Sequence, residues 1–402
     1  MRWPWRRRAR LASGPGIVPV LFIAGIVVAG VVAVPLVRAM LPGDAASTSA
    51  TRPGHVQRSP SETTVSLTFD DAYEDQWLYA VPLLRSHHIN ATFYVITADS
   101  DGPYPCCMSW AQLRILQGEG DDIGSHTVHH ANLPNLTGAR VRREICASRR
   151  DMLRNGIDDP ESFAYPFGSF NAADKKVVSQ CGFTNARQGG GISSSNTTPG
   201  PPWAETLPPK HPEAVRTIAV DAARPIRLRD LERYVAGTAA HSGGWLPITF
   251  HDVCAANAAD FIHCMSTYGA IQDTVLRQFL DWLRNAGHSG GAPAGIVVRT
   301  MRWAINTAKG PDTTAPTTTA LCNNSSCRPS YSGLVTVRLS AADPRGVGVA
   351  KTYFTTNGST PNTSSRVYQV PLVVHGTETI RFFSVDNAGN REKKKTMTVR
   401  VG

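Results

Sequence analysis

Four short stretches of this 402-residue chain carry side chains suited to acid–base and metal chemistry. The run SLTFDD, Ser66 to Asp71, is apolar and β-prone, yet ends in two adjacent carboxylates. Two like charges at a strand end destabilise each other unless something positive sits beside them. IGSHTVHHANL supplies His126, His129 and His130, and WLPITFHDVC ends in His251 and Asp252. SFAYPFGSFN ends in Pro166, Phe167 and Gly168, a tight turn whose backbone can approach a ligand closely. Carboxylate and imidazole are the ligand types expected for zinc or a similar divalent ion. His126 and His130 are four apart, so one helical turn would aim both at one ion. His126 and His129 are also helix-compatible, and spacing leaves both pairs open.

Each stretch needs an element to position it. VSLTF, ATFYVI, DDIGSH and SFAYPF read as strands. Between them lie expected helices: QWLYAVPLLRSHH with Trp77, Val81 and Leu84 on one face, SWAQLRILQGEG with Trp110, Leu113 and Leu116 inward, and one over about 138–155. Strand–helix alternation predicts an α/β fold with a largely parallel sheet or barrel, in which chemistry gathers where strands end. The Gly/Ser/Pro-rich segment 189–212 reads as a surface loop, or as a lid whose Trp203 stacks on a sugar.

The rest of the chain sets these elements in context. Five arginines fall within the first ten residues (1–16 forms a basic segment), followed by an uncharged, bilayer-length run over 17–37. That run exceeds the length of a signal-peptide core, so one N-terminal transmembrane helix is expected, with the basic end in the cytoplasm and the remainder outside. Cleavage after Ala50 with secretion is the alternative. Residues 38–62 read as a linker, 63–306 as the α/β domain, and 307–316 as a second, Thr/Pro-rich linker. Over 317–402, LVTVRLSA, AKTYFTT, RVYQVPLVV, TIRFFSV and KTMTVRV are short alternating strands separated by turn residues, which predicts a small β-sandwich. The net charge is +10. The excess sits in the first ten residues and in the run Arg391–Lys395, so no basic groove and no nucleic-acid partner are expected. All eight cysteines follow the apolar run. On the external side they imply disulfides, with Cys254–Cys264 and Cys322–Cys327 as local pairs, Cys146–Cys181 as a third, and Cys106 and Cys107 unassigned.

From about Val65 to Thr300 the chain resembles carbohydrate esterase family 4, the NodB-like polysaccharide deacetylases. The residues that carry this are Thr68-Phe69-Asp70-Asp71, His126-Thr127-Val128-His129-His130, Tyr165-Pro166-Phe167-Gly168 and Ile248-Thr249-Phe250-His251, in that order. The resemblance implies a distorted (β/α) barrel and a divalent metal, zinc or else cobalt, held by Asp71, His126 and His130. It implies Asp70 as general base, His251 as general acid, and an oxyanion-stabilising backbone N–H at Phe167, within a turn shared with Pro166 and Gly168. The substrate implied is an N-acetylated polysaccharide: peptidoglycan, a chitin-like chain or an exopolysaccharide. Three departures accompany it. Ala72 replaces the usual glycine, no aspartate–tryptophan motif is evident, and Ala164 stands where an arginine often orients the base. Arg187 or Arg216 is expected to supply that charge from elsewhere. The last 86 residues, with YFTTNGSTPNTSS and FFSVDNAGN, resemble immunoglobulin-like modules of the chitobiase C-terminal kind. A non-catalytic wall-binding scaffold and an O-acetyl esterase on the same fold are the competing functions. Retention of glycan without acetate release would mark the first, and preference for an O-acetyl ester the second.

Overall fold

The computed structural model describes residues 62–102, 106–193, 203–218, 225–307, 312–323, 325–343 and 346–402. The expected basic segment, anchor and tether therefore lie outside the described residues, Glu62 apart. Among the described residues no helix is long and apolar enough to cross a membrane.

Strand β1 (Thr63–Phe69) is buried at every position. Val65, Leu67 and Phe69 point to one side, into an apolar layer shared with surrounding helices. Ser66 and Thr68 point to the other and are satisfied there. Ser66 accepts from the Trp245 indole at 2.9 Å, and Thr68 donates to the Ile248 carbonyl at 3.0 Å. A strand hidden on both faces has this near-continuous burial rather than alternation.

Further strands follow as β2 (Thr92–Val95), β3 (Asp122–Ser125), β4 (Ser162–Ala164), β5 (Asn185–Ile192), β6 (Val215–Ile218), β7 (Gly244–Phe250), β8 (Val253–Cys254), β9 (Ile271–Gln272) and β10 (Ile296–Val298). Parallel neighbours run in the order β10–β1–β2–β3–β4–β5–β6, with β7 also paired to β1. Between β6 and β7 the Thr217 hydroxyl donates to the Pro247 carbonyl at 2.7 Å, so the barrel is nearly closed. The register of β1 on β7 pairs Phe69 with Phe250. Asp70 and His251, one residue further on each strand, therefore emerge side by side.

Helices α1 (Val81–Ser86), α2 (Trp110–Glu119), α3 (Gly138–Arg142), α4 (Ser148–Arg154), α5 (Ala172–Gln180), α6 (Leu228–Ala240), α7 (Phe261–Cys264), α8 (Asp273–Arg284) and α9 (Met301–Thr307) accompany the barrel. Helix α2 starts where Ser109 and Gln112 cap each other reciprocally, and it buries Trp110, Leu113 and Leu116 as its periodicity requires. One expectation changes in this domain's strands. The segment NARQGGGI, read in part as loop, is β5. Its consecutive glycines mask any alternation but fit beside the turn at Gly168, as described below.

The C-terminal residues form β11 (Thr317–Cys322), β12 (Ser325–Ser326), β13 (Ser330–Tyr331), β14 (Val335–Ala342), β15 (Val349–Thr355), β16 (Arg366–Val367), β17 (Leu372–Val374), β18 (Glu378–Asp386) and β19 (Lys395–Val401). They make two sheets, β12–β11–β14–β17 and β13–β19–β18–β15–β16, around Val335, Val337, Phe354, Ile380, Phe382 and Val399. RVYQVPLVV, expected as one strand, divides into β16 and β17 around Tyr368 to Pro371. Proline cannot donate to a sheet ladder, which accounts for the break. Four disulfides staple the chain: Cys146–Cys181, Cys254–Cys264, Cys322–Cys327 and the vicinal pair Cys106–Cys107.

The sandwich docks on the end of the barrel where strands begin. Buried Arg302 of α9 donates to the Asp159 carboxylate at 3.0 Å, in the loop entering β4, and to the Asp343 carbonyl of the sandwich at 2.7 Å. Arg338 reaches Asp158 at 3.2 Å, and Asn306 bridges Glu161 and the Gly346 carbonyl. The two domains accordingly belong to one compact unit.

Candidate active site

At the opposite end, where strands finish, five of the expected side chains converge. The chain turns sharply after β1, with Asp71 at φ 69° and Ala72 at φ 54°. Both are left-handed, and the two neighbouring carboxylates, instead of alternating across a strand, both come within 4 Å of His126 Nε2. His126 follows β3, and the residues after it form a turn with Thr127 at φ 69° and His130 at φ 53°. The helical turn expected here is absent. Reversal of the chain, not helical spacing, brings the two rings together, their centroids 4.8 Å apart.

Asp71 Oδ1 lies 3.7 Å from His126 Nε2 and 3.6 Å from His130 Nε2. It is buried and has no hydrogen-bond partner among the described residues. His126 Nδ1 sits 2.9 Å from the Ala164 carbonyl. A carbonyl only accepts, so Nδ1 carries the hydrogen and the Nε2 lone pair is free to face Asp71. Burial pushes the His126 ring down to about 3 and lowers His130 as well, so both are neutral donors at pH 7. Burial, opposed by His251 and reinforced by Asp70, pushes Asp71 up to about 6. An orphaned carboxylate oxygen facing two free imidazole nitrogens is the environment a divalent cation relieves. The residues present fit such an ion. His129 faces away: its Nδ1 is 2.9 Å from Glu144, and its side chain is 68% exposed. The pair that spacing left open is therefore His126 with His130.

Asp70 has a different partner. Arg187 Nη2 donates to both of its oxygens, at 2.6 and 2.5 Å. Burial alone would raise the Asp70 carboxyl; the Arg187 guanidinium, with His126 and His251, outweighs it and holds Asp70 below the usual carboxylate range. Arg187 is itself buried, over the Tyr94 ring at 5.2 Å. It stands on β5 directly across from Ala164 of β4, so the guanidinium enters from the strand next to the one expected to carry it. Ala164, fully buried, leaves the room. Arg216 is committed elsewhere, to Glu205 at 2.7 Å, and does not reach the cluster.

His251 Nε2 is 3.8 Å from Asp70 Oδ2. Its Nδ1 is buried without a hydrogen-bond partner among the described residues. Gln76 was not singled out from the sequence. Its amide nitrogen donates to the carbonyls of both Asp70, at 2.6 Å, and His251, at 2.9 Å, tying the two strand ends together. No local motif marks it, because both partners are main-chain atoms.

Pro166, Phe167 and Gly168 form the expected tight turn beside the histidines. Phe167 takes φ 59°, is 67% exposed, and sets its ring edge-on to His130 at 4.5 Å. Gly168, at φ 61°, approaches β5 so closely that a Cβ there would stand 2.5 Å from Gly189 N. Trp203 is placed elsewhere. Its ring stacks on His241 at 4.4 Å, and its six-membered edge covers Gly237 of α6. The neighbouring Glu205 pairs with Trp245, at the beginning of β7, whereas His251 follows its end. Trp203 thus packs a helix at the far end of the strand, and the lid reading of this residue is corrected.

Comparison with known proteins agrees with the resemblance. Residues 57–186 match the family model described as polysaccharide deacetylase, and residues 328–396 the one described as chitobiase/beta-hexosaminidase C-terminal domain. YxkH of Bacillus subtilis, whose name places it among the polysaccharide deacetylases, is 27% identical over 31% of this chain and 44% of its own length. A peptidoglycan-N-acetylglucosamine deacetylase of Bacillus cereus is 26% identical over 31% of this chain and 55% of its own. A chitooligosaccharide deacetylase of Azorhizobium caulinodans is 28% identical over 30% and 56% respectively. The chain spans about half the length of these curated relatives. The deacetylase match ends one residue before Arg187 and well before His251, which join the cluster through geometry alone.

Proposed function

We propose that this chain, whose residues 57–186 match polysaccharide deacetylases, is a metal-dependent hydrolase that removes N-acetyl groups from an extracellular or cell-wall polysaccharide. The observation that carries the reading is the orphaned Asp71 oxygen facing His126 and His130, beside an Asp70 held ionised by Arg187. The names of the relatives support N-acetylated sugar as the substrate class. The disulfides and the apolar run 17–37 support a membrane-anchored protein whose catalytic part is outside.

A divalent ion, zinc or cobalt, on Asp71, His126 and His130 would polarise an acyl oxygen and make water more acidic. Asp70 takes a proton from water as its oxygen forms a bond to the acetyl carbon. Arg187 keeps the carboxylate ionised and fixes its orientation. The resemblance gives the backbone N–H of Phe167, in its left-handed turn, the role of stabilising the developing oxyanion. His251 then gives a proton from Nε2 to the sugar nitrogen as the C–N bond breaks, so acetate and a free amine leave. Gln76 holds base and acid at a fixed spacing throughout. The absent arginine at Ala164, the best support for a non-catalytic scaffold, is compensated by Arg187.

Acetate release from N-acetylglucosamine oligomers, with zinc or with chelator, tests the assignment. Release is expected only with metal, and Asp70→Asn is expected to lower it by about 10³-fold or more. A zinc-loaded chain that releases nothing from chitin, peptidoglycan or acetylated xylan fragments would overturn it. Faster turnover of O-acetyl xylan than of the N-acetyl sugar would replace it with the esterase.

A further inference from the structure

The disulfide Cys254–Cys264 closes an excursion of the chain immediately after His251. Its two ends are held as a parallel pair, Val253 with Ile271 and Cys254 with Gln272. Thr267 donates to Asp252 at 2.6 Å and to the Cys264 carbonyl at 2.8 Å. Gly269, at φ 66°, accepts the His251 N–H at 3.1 Å, and a Cβ on it would stand 2.4 Å from His251 Nδ1. The backbone on both sides of Tyr268 is therefore fixed against the acid histidine. Yet the Tyr268 ring is 53% exposed, edge-on to His251 at 5.1 Å. Phe167 stands likewise at the other end of the cluster, exposed and edge-on to His130.

An exposed aromatic whose flanking backbone is pinned on a stapled loop has lost part of its freedom without gaining burial, so a ligand can complete its contacts at a reduced entropy cost. Pyranose rings present flat C–H faces, the complement of an aromatic surface. Resting on the deacetylase reading, we infer that Tyr268 is the stacking wall for the sugar that adjoins the reacting acetamido unit. It gives the site a preference for chains over single sugars. Position supplies the reason: Tyr268 abuts the histidine that protonates the departing nitrogen, which sets its exposed ring at the edge of the reacting sugar.

Calorimetric titration of N-acetylglucosamine tetramer into the zinc-loaded full chain, carrying Asp70→Asn to prevent turnover, tests this. Tyr268→Ala is expected to weaken binding about tenfold, with retained zinc showing an intact cluster. Tyr268→Trp is expected to restore it, which a merely structural ring would not do. N-acetylglucosamine monomer should bind both equally weakly. Tetramer affinity unchanged within twofold in Tyr268→Ala overturns the inference and leaves the deacetylase standing. Failure of the parent to bind any chito-oligomer or peptidoglycan fragment overturns both.

Discussion

Arg187 and Ala164 exchange roles that one position usually holds. They face each other across β4 and β5, and the guanidinium reaches Asp70 from the β5 side. Arg187→Ala leaves the Asp70 carboxylate buried without its cation, and is expected to lower kcat on an N-acetyl oligomer by about 10²–10³-fold. Adding Ala164→Arg in that background should recover at least about tenfold, because the register places the new side chain beside the vacated space. Absence of recovery, in a variant that still binds zinc, would show that entry from β5 is itself required. The sequence pointed to this pair but could not choose between Arg187 and Arg216. The choice depends on Glu205, which occupies Arg216 from a segment 11 residues earlier in the chain.

Among the elements, the turns carry more of the site than the strands do. The rings of His126 and His130 meet because Thr127 and His130 adopt positive φ, not because a helix spaces them. Gly168 works at the same scale. Its replacement by alanine would drive a Cβ into Gly189, and is expected to lower stability by about 1–3 kcal/mol in chemical denaturation. Unchanged stability would mean that the Phe167 turn can move off β5. The disulfide Cys146–Cys181 joins the helical segment between α3 and α4 to the end of α5, across a separation of 35 residues. Closing a loop of that size stabilises by about 3–4 kcal/mol in the chain-entropy account. Replacing both cysteines by serine should lower the unfolding free energy by a comparable amount while leaving zinc binding in place. An equal loss of zinc affinity would tie α5 to the site more closely than its position implies.

At the scale of the whole molecule, the sandwich and the cluster lie at opposite ends of the barrel, so the C-terminal domain does not line the site. Beside the contacts of Arg338 and Asn306, its attachment uses Arg302, buried among Asp159, Glu161 and the Asp343 carbonyl. Arg302→Met would leave two carboxylates facing each other without their cation, at a cost of about 3–5 kcal/mol. The expected result is an earlier thermal transition and protease cleavage near 308–316, with acetyl release retained at temperatures where the barrel stays folded. Parallel loss of folding and cleavage resistance throughout the barrel would show instead that the two domains unfold as one.

Much of this protein was legible in its order of residues. Asp70 and Asp71 after an apolar run, His126 and His130 after another, and His251 after a third are local patterns. A strand carries them to one end of a parallel barrel whatever the details of packing. The inward faces of α2 and the strands of the sandwich follow from periodicity in the same way. Other features depended on contacts between segments far apart in the chain. β5 has glycines where an alternating pattern would be, so only its pairing with β4 and β6 identifies it. Trp203 read as part of a surface loop or of a lid, and the pairing of Glu205 with Trp245 places it at the far end of β7, against α6. Arg187, Gln76 and the orphaned oxygen of Asp71 acquire their meaning from distances across the barrel. Sequence specifies side-chain chemistry and local period; which charges neutralise each other, and which oxygen is left without a partner, is decided when the strands are brought into register.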